Sequence, residues 1–289
     1  MSQTLQRSPW TPQLYARAVA GAALPGFLWG GGDRLPQRSL CLEGVHFSEH
    51  RIEDYRRVCG DGPGLPPAML HLPGFPLALQ LMTGRDFPMS ALGMVHIANT
   101  IEVLADLGTT DEYDITVELA NPRTHRKGAQ FDAITTATRD DVVVWREVST
   151  YLSRGSRLAD ADEASPQPEW PAPPADAQQI AIEVPGDIGR RYASVSQDRN
   201  PIHLHGLAAR LFGFRTAIAH GMWSLARCLS EVESEVPERY TVVAGFFKPV
   251  FLPAHTTLFI DRDPGQWSLW LMTGETRHAA LHITADARL

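Results

Sequence analysis

The chain has 289 residues, of which 44% are hydrophobic and 20% charged, a composition that is ordinary for a globular protein and excludes wholesale disorder. Its 26 Lys and Arg against 33 Asp and Glu give a formal net charge of −7, which argues against nucleic acid or an anionic membrane surface as a partner. The absence of about 18 consecutive apolar residues predicts no membrane span. Three widely spaced cysteines without a CxxC pair indicate a reducing compartment, so we expect a cytoplasmic protein.

The first half predicts helices followed by strands. The apolar run 18–28 is interrupted by Pro25 and Gly26 and indicates a short amphipathic helix more than a signal peptide. Further helices are predicted over 50–58 and, after a Gly/Pro loop, over 76–83. Strand-like segments follow at 94–104, 113–119, 129–138 and 142–152, the last two joined by a turn at 139–141.

A segment rich in Pro, Ala and Asp, 157–178, has no apolar period and is predicted to be a linker between the halves 1–156 and 179–289. The second half repeats the earlier order. Helices are predicted over 189–197, 206–214 and 220–236, the last with one buried stripe. Strands are predicted over 241–251, 257–261, 267–272 and 279–285.

The two halves share more than their order of elements. Tyr55 and Asp61 are separated by six positions, as are Tyr192 and Asp198, with Val58 and Val195 in register. A helix followed by several antiparallel strands, occurring twice, predicts an α+β protein in which each sheet curls around a central helix.

The segment after the fourth predicted helix carries the most chemistry. Asp198 follows the helix, Asn200 and Pro201 form a turn, and His203 comes five positions after Asp198. Because the chain reverses at this turn, the carboxylate and the imidazole are expected to face a common cleft and hold a water between them. One group would take a proton and the other would give one, an exchange for which histidine is suited near neutral pH.

A glycine at the start of a long helix is a candidate for binding the substrate. Gly221 offers a backbone N–H that the helix does not use, and the lack of a side chain would let a substrate carbonyl approach. His203 and His205 are spaced like two metal ligands, but no carboxylate or cysteine lies at a matching spacing, so we expect no metal and no redox cofactor. The lack of a GxSxG elbow argues against a serine triad.

These residues resemble a known motif. YASVSQDRNPIH (192–203), AARLFGF (208–214) and AHGM (219–222) are similar to the hydratase motif of the MaoC-like dehydratases, which include (R)-specific enoyl-CoA hydratases. The resemblance extends to the double hot-dog 3-hydroxyacyl-thioester dehydratases of mycobacteria and includes 73–96 in the first half.

The resemblance implies a double hot-dog fold and reversible dehydration of (R)-3-hydroxyacyl thioesters to trans-2-enoyl thioesters. Asp198 and His203 would form the dyad that activates water, and the Gly221 amide would bind the thioester carbonyl. The further candidates for contact with the substrate are Asn200, His220 and Met222. The expected partner is an acyl-CoA or acyl carrier protein thioester, and the oligomeric state stays open between a monomer and a homodimer.

The chain also departs from the motif. Gln197 stands where the family commonly has glycine, which affects the geometry of the turn. In the first half, Pro66 occupies the position that corresponds to the histidine, so Asp61 has no imidazole and this half is expected not to catalyse. It either opens a groove for a longer acyl chain or serves as a structural partner that completes the sheet.

Two alternatives remain at this stage. A hot-dog thioesterase would use the same amide but would not need the Asp–Asn-Pro–His turn. A non-catalytic acyl-thioester binding protein would require the dyad to be vestigial. The intact dyad favours the dehydratase.

Overall fold

The structure is a computed structural model that describes residues 2–23, 32–163 and 168–286. Contacts divide the chain into two compact units, one of residues 1–46, 70–97 and 112–167, the other of residues 47–69, 98–111 and 168–289. Part of the predicted linker, 164–167, and part of the predicted N-terminal helix, 24–28, lie outside the described residues. The predicted ranges 1–156 and 179–289 stay a prediction, since each unit collects several segments of the chain.

The described residues form eleven strands and seven α-helices. In chain order they are β1 (Ser2–Leu5), α1 (Thr11–Ala23), β2 (Ser39–Val45), α2 (Glu49–Cys59), α3 (His71–Met82), β3 (Val95–Val103), β4 (Tyr113–His125), β5 (Gly128–Arg139), β6 (Val142–Arg154), β7 (Gln178–Val184), α4 (Ile188–Ser196), α5 (Pro201–Leu204), α6 (Gly206–Leu211), α7 (Gly221–Leu229), β8 (Tyr240–Phe246), β9 (Ala254–Asp263), β10 (Gln266–Thr273) and β11 (Thr276–Ala285). The described part of the chain contains no helix with the length and apolar character needed to cross a bilayer.

The first unit is a sheet in the order β1-β2-β4-β5-β6 that packs around α3. Only β1 and β2 in this unit's sheet run parallel. Nearly every residue of α3 is buried, in keeping with a helix sequence that is apolar on all sides apart from His71 and Gln80. Asp140 and Asp141 adopt positive φ values of 53° and 62°, the conformation of a two-residue hairpin turn, which confirms the predicted β5–β6 hairpin.

A buried hydrogen bond between a histidine and a glutamate joins α3 to its sheet in the first unit. Nδ1 of His71 lies 2.9 and 2.8 Å from the two carboxylate oxygens of Glu147 on β6, and both residues are buried. Close by, Gly74 lies against Thr135, because a Cβ at this position would come within 2.8 Å of the threonine methyl group. A larger residue at 74 would therefore push α3 away from the sheet.

The second unit contains the remaining strands in the antiparallel order β3-β8-β11-β10-β9-β7, to which β3 contributes residues 98–103. Helix α7 packs on β10 and β11, while α2 packs on α4 and α7. Trp223 of α7 donates its indole N–H to the Val58 carbonyl at 2.9 Å, which fixes the end of α2. The predicted α+β arrangement of a helix against antiparallel strands is thus present in each unit.

Helix α7 is shorter than the predicted helix over 220–236. It ends at Leu229, after which hydrogen bonds reach back three residues instead of four, as in Glu231 N–H to Cys228 O and Val232 N–H to Leu229 O. The apolar stripe that predicted a continuous helix is kept, because Val232 is fully buried in the tighter turn.

The proline-rich segment is docked on the units rather than extended into solvent. Asp162 exchanges backbone hydrogen bonds with Pro122 and Thr124 in the first unit. In the second unit, Arg277 donates to the carbonyl oxygens of Trp170 and Pro171, both at 2.6 Å. The described residues of the segment therefore follow the protein surface.

The tight turn after α7 encloses an acidic side chain. A Cβ at Gly62 would lie 2.3 Å from Oε2 of Glu233, so the carboxyl group packs directly on the chain that follows α2. Burial raises the pKa of Glu233 to about 7, against the opposing effect of the nearby Arg56 guanidinium. Burial raises the pKa values of Tyr55 and Tyr240, and the negative charge of Glu233 adds to the shift of both.

The pKa of Glu233 predicts a pH-dependent stability. The unfolded chain loses this proton near pH 4.5 and the folded chain near pH 7, so the free energy of unfolding should fall as the pH rises through this interval and then level off. Replacing Glu233 with Gln should remove this loss, stabilising the protein at pH 8 by about 2–3 kcal/mol and hardly at pH 4.5. Urea unfolding at several pH values measures the difference. The exposed Glu238→Gln is the matched control, and an equal effect of both substitutions would contradict the prediction.

Candidate active site

The turn that follows α4 holds Asp198 from several sides. Gln197 ends α4 in the left-handed conformation, with φ 61° and ψ 6°, which explains why glycine is favoured at this position. The backbone N–H of Asp198 then donates to the Ser196 hydroxyl at 3.1 Å, and the N–H of Asn200 donates to Oδ1 of Asp198 at 3.1 Å. The Asn200 side chain accepts from the Ile202 N–H at 3.4 Å and caps α5.

His203 lies on the short helix α5 with its ring orientation fixed. Its Nδ1 lies 2.8 Å from the carbonyl oxygen of Ile218, which can only accept a hydrogen bond, so Nδ1 carries the proton. In the neutral ring, Nε2 therefore presents a lone pair. The backbone also holds this position, because a Cβ on Gly189 of α4 would lie 2.0 Å from the His203 carbonyl oxygen.

His220 completes the cluster as a buried neighbour of the dyad. Its ring stacks on that of His203 with the two centroids 3.7 Å apart. The Tyr192 ring is tilted by 53° relative to the His220 ring, with the two centroids 4.9 Å apart. Its Nε2 is 3.1 Å from the backbone oxygen of Asp198 and 3.7 Å from the carboxylate. Side-chain ligand atoms of Asp198, His203 and His220 lie within 4.8 Å of one another, so the structure brings together the two residues of the predicted dyad.

Both imidazoles of the cluster are neutral. Burial lowers the pKa of His203, against the opposing effects of Asp198 and the Ile218 carbonyl. Burial, and secondly the adjacent His203, lowers the pKa of His220 to about 3. A second positive charge beside the first is thus strongly disfavoured.

Gly221 is the first residue of α7, so its N–H lies outside the helix's own hydrogen-bond ladder and at the positive end of the helix dipole. The Phe246 ring covers this glycine, since a Cβ there would meet ring carbons at 3.3–3.4 Å. Met222, the third candidate for substrate contact beside Asn200 and His220, is buried on the first turn of α7. Their predicted contacts with substrate remain predictions.

The donor set of the cluster has some of the features of a metal site, with one carboxylate and two imidazoles. However, Nε2 of His220 must carry a hydrogen to bond to the Asp198 carbonyl and Nδ1 of His203 must carry one to bond to the Ile218 carbonyl, so neither of these two nitrogens can coordinate an ion. His205, the partner of His203 in the sequence pattern, is exposed and accepts from the Leu207 N–H at 3.4 Å. This hydrogen bonding favours proton transfer over coordination.

The corresponding part of the first half lacks this arrangement. Asp61 is exposed and Pro66 is buried at the position of the histidine. Asp61 borders a cavity of about 900 Å³, whose walls include Arg56, Arg191 and Glu231. Because charged groups form so much of this lining, the cavity suits an acyl chain poorly and the role of structural partner is better supported.

Comparisons with known proteins show what the chain is similar to. Residues 172–258 match the MaoC-like domain family, a range that contains Asp198, His203 and Gly221. The chain is 34% identical over 274 residues to 3-hydroxyacyl-thioester dehydratase X of Mycobacterium tuberculosis, covering 94% of this chain and 95% of that protein.

Solved structures give the same picture. A crystal structure of HtdX of Mycobacterium tuberculosis is 31% identical, with a TM-score of 0.74, and the match covers 86% of this chain and 100% of that one. A MaoC-like dehydratase from Phytophthora capsici has a TM-score of 0.68 at 13% identity, covering 89% and 99% of the two chains, and shows the fold alone.

The contact of Gly189 with His203 generates a prediction. Gly189→Ala should displace the His203 backbone, because the new methyl group would overlap the carbonyl oxygen, and should lower kcat by about 10²-fold, the cost of a 1 Å misplacement. Gly186→Ala is the matched control, since its Cβ would meet its nearest neighbour at an ordinary 3.8 Å. Steady-state kinetics and thermal unfolding of both variants measure the effect. A folded Gly189→Ala enzyme with the wild-type kcat would refute it.

Proposed function

The chain belongs to the family of the MaoC-like dehydratases, and we propose that Asp198, His203 and the Gly221 amide perform its reaction. The enzyme is a hydro-lyase that reversibly dehydrates 3-hydroxyacyl thioesters to 2-enoyl thioesters, and its fold is the α+β double hot-dog. The observation that carries the assignment is the hydrogen bond from His203 Nδ1 to the Ile218 carbonyl, which leaves Nε2 as a base beside the Asp198 carboxylate.

In the hydration direction, the thioester carbonyl accepts a hydrogen bond from the Gly221 N–H, which draws electron density from the C2–C3 double bond. A water lies between Asp198 and His203, with one hydrogen donated to the carboxylate. Nε2 of His203 takes the other proton as the water oxygen bonds to C3, and the π electrons move onto the thioester oxygen as an enolate.

The second step regenerates the enzyme. The enolate re-forms its carbonyl while C2 takes the proton from Nε2 of His203, so the water has been added across the double bond and the imidazole is neutral again. During the step the imidazolium is balanced by the Asp198 carboxylate. This division of roles follows from the tautomer, since a ring whose Nδ1 proton is held by a carbonyl can receive a proton only at Nε2.

The proposal also covers the stereochemistry of the reaction and the group that carries the thioester. We expect the (R)-3-hydroxyacyl isomer and the trans-2-enoyl isomer, because the motif around Asp198 and His203 resembles that of the (R)-specific hydratases. The thioester is carried by CoA or by an acyl carrier protein, and we place the reaction in the cytoplasm. The homodimer considered from the sequence stays a prediction.

A thioesterase would need the same amide but not this dyad. The turn from Ser196 to His203 orients a carboxylate and a neutral base toward one water, an arrangement suited to adding or removing water. The similarity to a dehydratase along 94% of the chain supports the same reaction, and the intact dyad argues against a protein that only binds thioesters.

The activity has a direct test. The purified protein should hydrate crotonyl-, octenoyl- or dodecenoyl-CoA, with loss of the absorbance of the enoyl thioester, and chiral analysis should find the (R) product. A chelator should leave the rate unchanged, because we assign proton transfer to side chains alone. Formation of the (S) product, release of free CoA without hydration, or inactivation by the chelator would each contradict part of the assignment.

Substitutions in the dyad test the roles. Asp198→Asn and His203→Ala should each lower kcat by about 10²–10⁴-fold with little change in KM, because the lost interaction acts in the transition state. The double variant should lose far less than the product of the two effects, since both residues act on one water. Asp61→Asn is the matched control in the first half and should keep the wild-type rate. Equal losses from Asp61→Asn and Asp198→Asn would refute the assignment.

A further inference from the structure

A short excursion of the chain, residues 204–217, leaves the active site and returns to it. His203 precedes the excursion, and Ile218, Ala219, His220 and Gly221 follow it. Two hydrogen bonds close its ends, from Ile218 N–H to Ile202 O at 3.2 Å and from His203 Nδ1 to Ile218 O at 2.8 Å. Anything that binds to the excursion is therefore held next to the catalytic groups.

The outer face of the excursion is apolar. Helix α6 is anchored by Ala209, which is fully buried, while Leu207 and Leu211, four residues apart and so on one helix face, have 65% and 88% of their surface exposed. Phe212, directly after the helix, has 39% exposed. A single exposed leucine is ordinary, but three large apolar side chains within six residues form a patch of the kind found at interaction sites.

The same stretch of chain is basic. Residues 199–216 contain three arginines, Arg199, Arg210 and Arg215, and no Asp or Glu, in a chain whose formal net charge is −7. All three arginines are exposed. Arg210 donates to the Arg215 carbonyl at 3.3 Å, and the Arg215 guanidinium lies 4.2 Å from the centre of the Phe251 ring. These contacts fix the two cations beside the leucines.

We infer that the excursion 204–217 is the docking surface for an acidic acyl carrier protein that delivers the thioester substrate, an inference that rests on the proposed function. A carrier protein that presents acidic and apolar side chains together would cover both the arginines and the leucines. The nucleotide of CoA would supply phosphates for the arginines but leave the leucines in water. A six-residue helix is also short for binding in a lipid interface, which favours a protein partner over a membrane.

The experiment compares one acyl group on two carriers. Trans-2-octenoyl-CoA and trans-2-octenoyl acyl carrier protein are hydrated by the wild type and by the variants Leu211→Asp and Arg210→Glu. Both variants should raise KM for the carrier-protein substrate by about tenfold, with kcat and the kinetics on octenoyl-CoA unchanged. Added salt should weaken the wild-type interaction with the carrier protein and not with octenoyl-CoA.

Matched controls lie in the first unit. Val142→Asp changes a valine with 61% of its surface exposed, and Arg126→Glu reverses an exposed cation; neither should affect either substrate. Thermal unfolding of all four variants identifies any loss of folding. Because so little of the Leu211 surface is covered, Leu211→Asp should have the same melting temperature as the wild type.

Each other outcome overturns the inference in a distinct way. Unchanged carrier-protein kinetics in Leu211→Asp and Arg210→Glu, or a wild type that hydrates only octenoyl-CoA, would refute the docking surface and leave the proposed function intact. A higher KM for octenoyl-CoA in Arg210→Glu alone would assign the arginine to the CoA phosphates. Loss of binding to vesicles of phosphatidylcholine and phosphatidylglycerol, without a change in carrier kinetics, would assign the surface to a membrane. A wild type that hydrates neither substrate would refute the proposed function itself.

Discussion

The hydrogen bond between His203 and the carbonyl of Ile218 is the constraint on which the site depends. It joins two stretches of chain separated by 15 residues, selects the tautomer of the imidazole and leaves the lone pair on Nε2. Because the acceptor is a backbone carbonyl, it orients the ring without adding a second carboxylate. The ring is consequently held in place while remaining a neutral base.

The two units use histidine in contrasting ways. In the first unit, Nδ1 of His71 faces the carboxylate of Glu147, and this buried hydrogen-bonded pair links the helix to the sheet. In the second unit, Nδ1 of His203 faces a carbonyl, and we propose that the carboxylate of Asp198 shares a water with this ring instead. The chemistry of the acceptor, more than burial, separates a structural histidine from one suited to catalysis.

The sequence predicted much of this architecture. Apolar periodicity located α2, α4, α6 and the strands β8 to β11, and the spacing of Asp198, Asn200 and His203 indicated the dyad. It missed β2 and β7, whose partners β4 and β9 follow only after many residues, and the alternation of Ile180, Ile182 and Val184 in β7 was the signal that could have located that strand. The contact of Gly189 with the His203 carbonyl and the enclosure of Glu233 against Gly62 were also beyond its reach, because tertiary packing creates both and no local pattern encodes them.

The two hydrogen bonds that join Ile202, His203 and Ile218 form the neck of the excursion 204–217, and this neck affects how such an enzyme can diversify. The hydrogen bonds at Ile202, His203 and Ile218 close the loop at its base. The same contacts that hold the proposed catalytic groups in position therefore also offset the entropy cost of closing the loop. Lengthening a closed loop costs little, about 0.6 kcal/mol for each doubling. Insertions and substitutions beyond the neck can therefore accumulate almost neutrally for catalysis, and the recognised partner can drift over generations while the proton-transfer geometry stays unchanged.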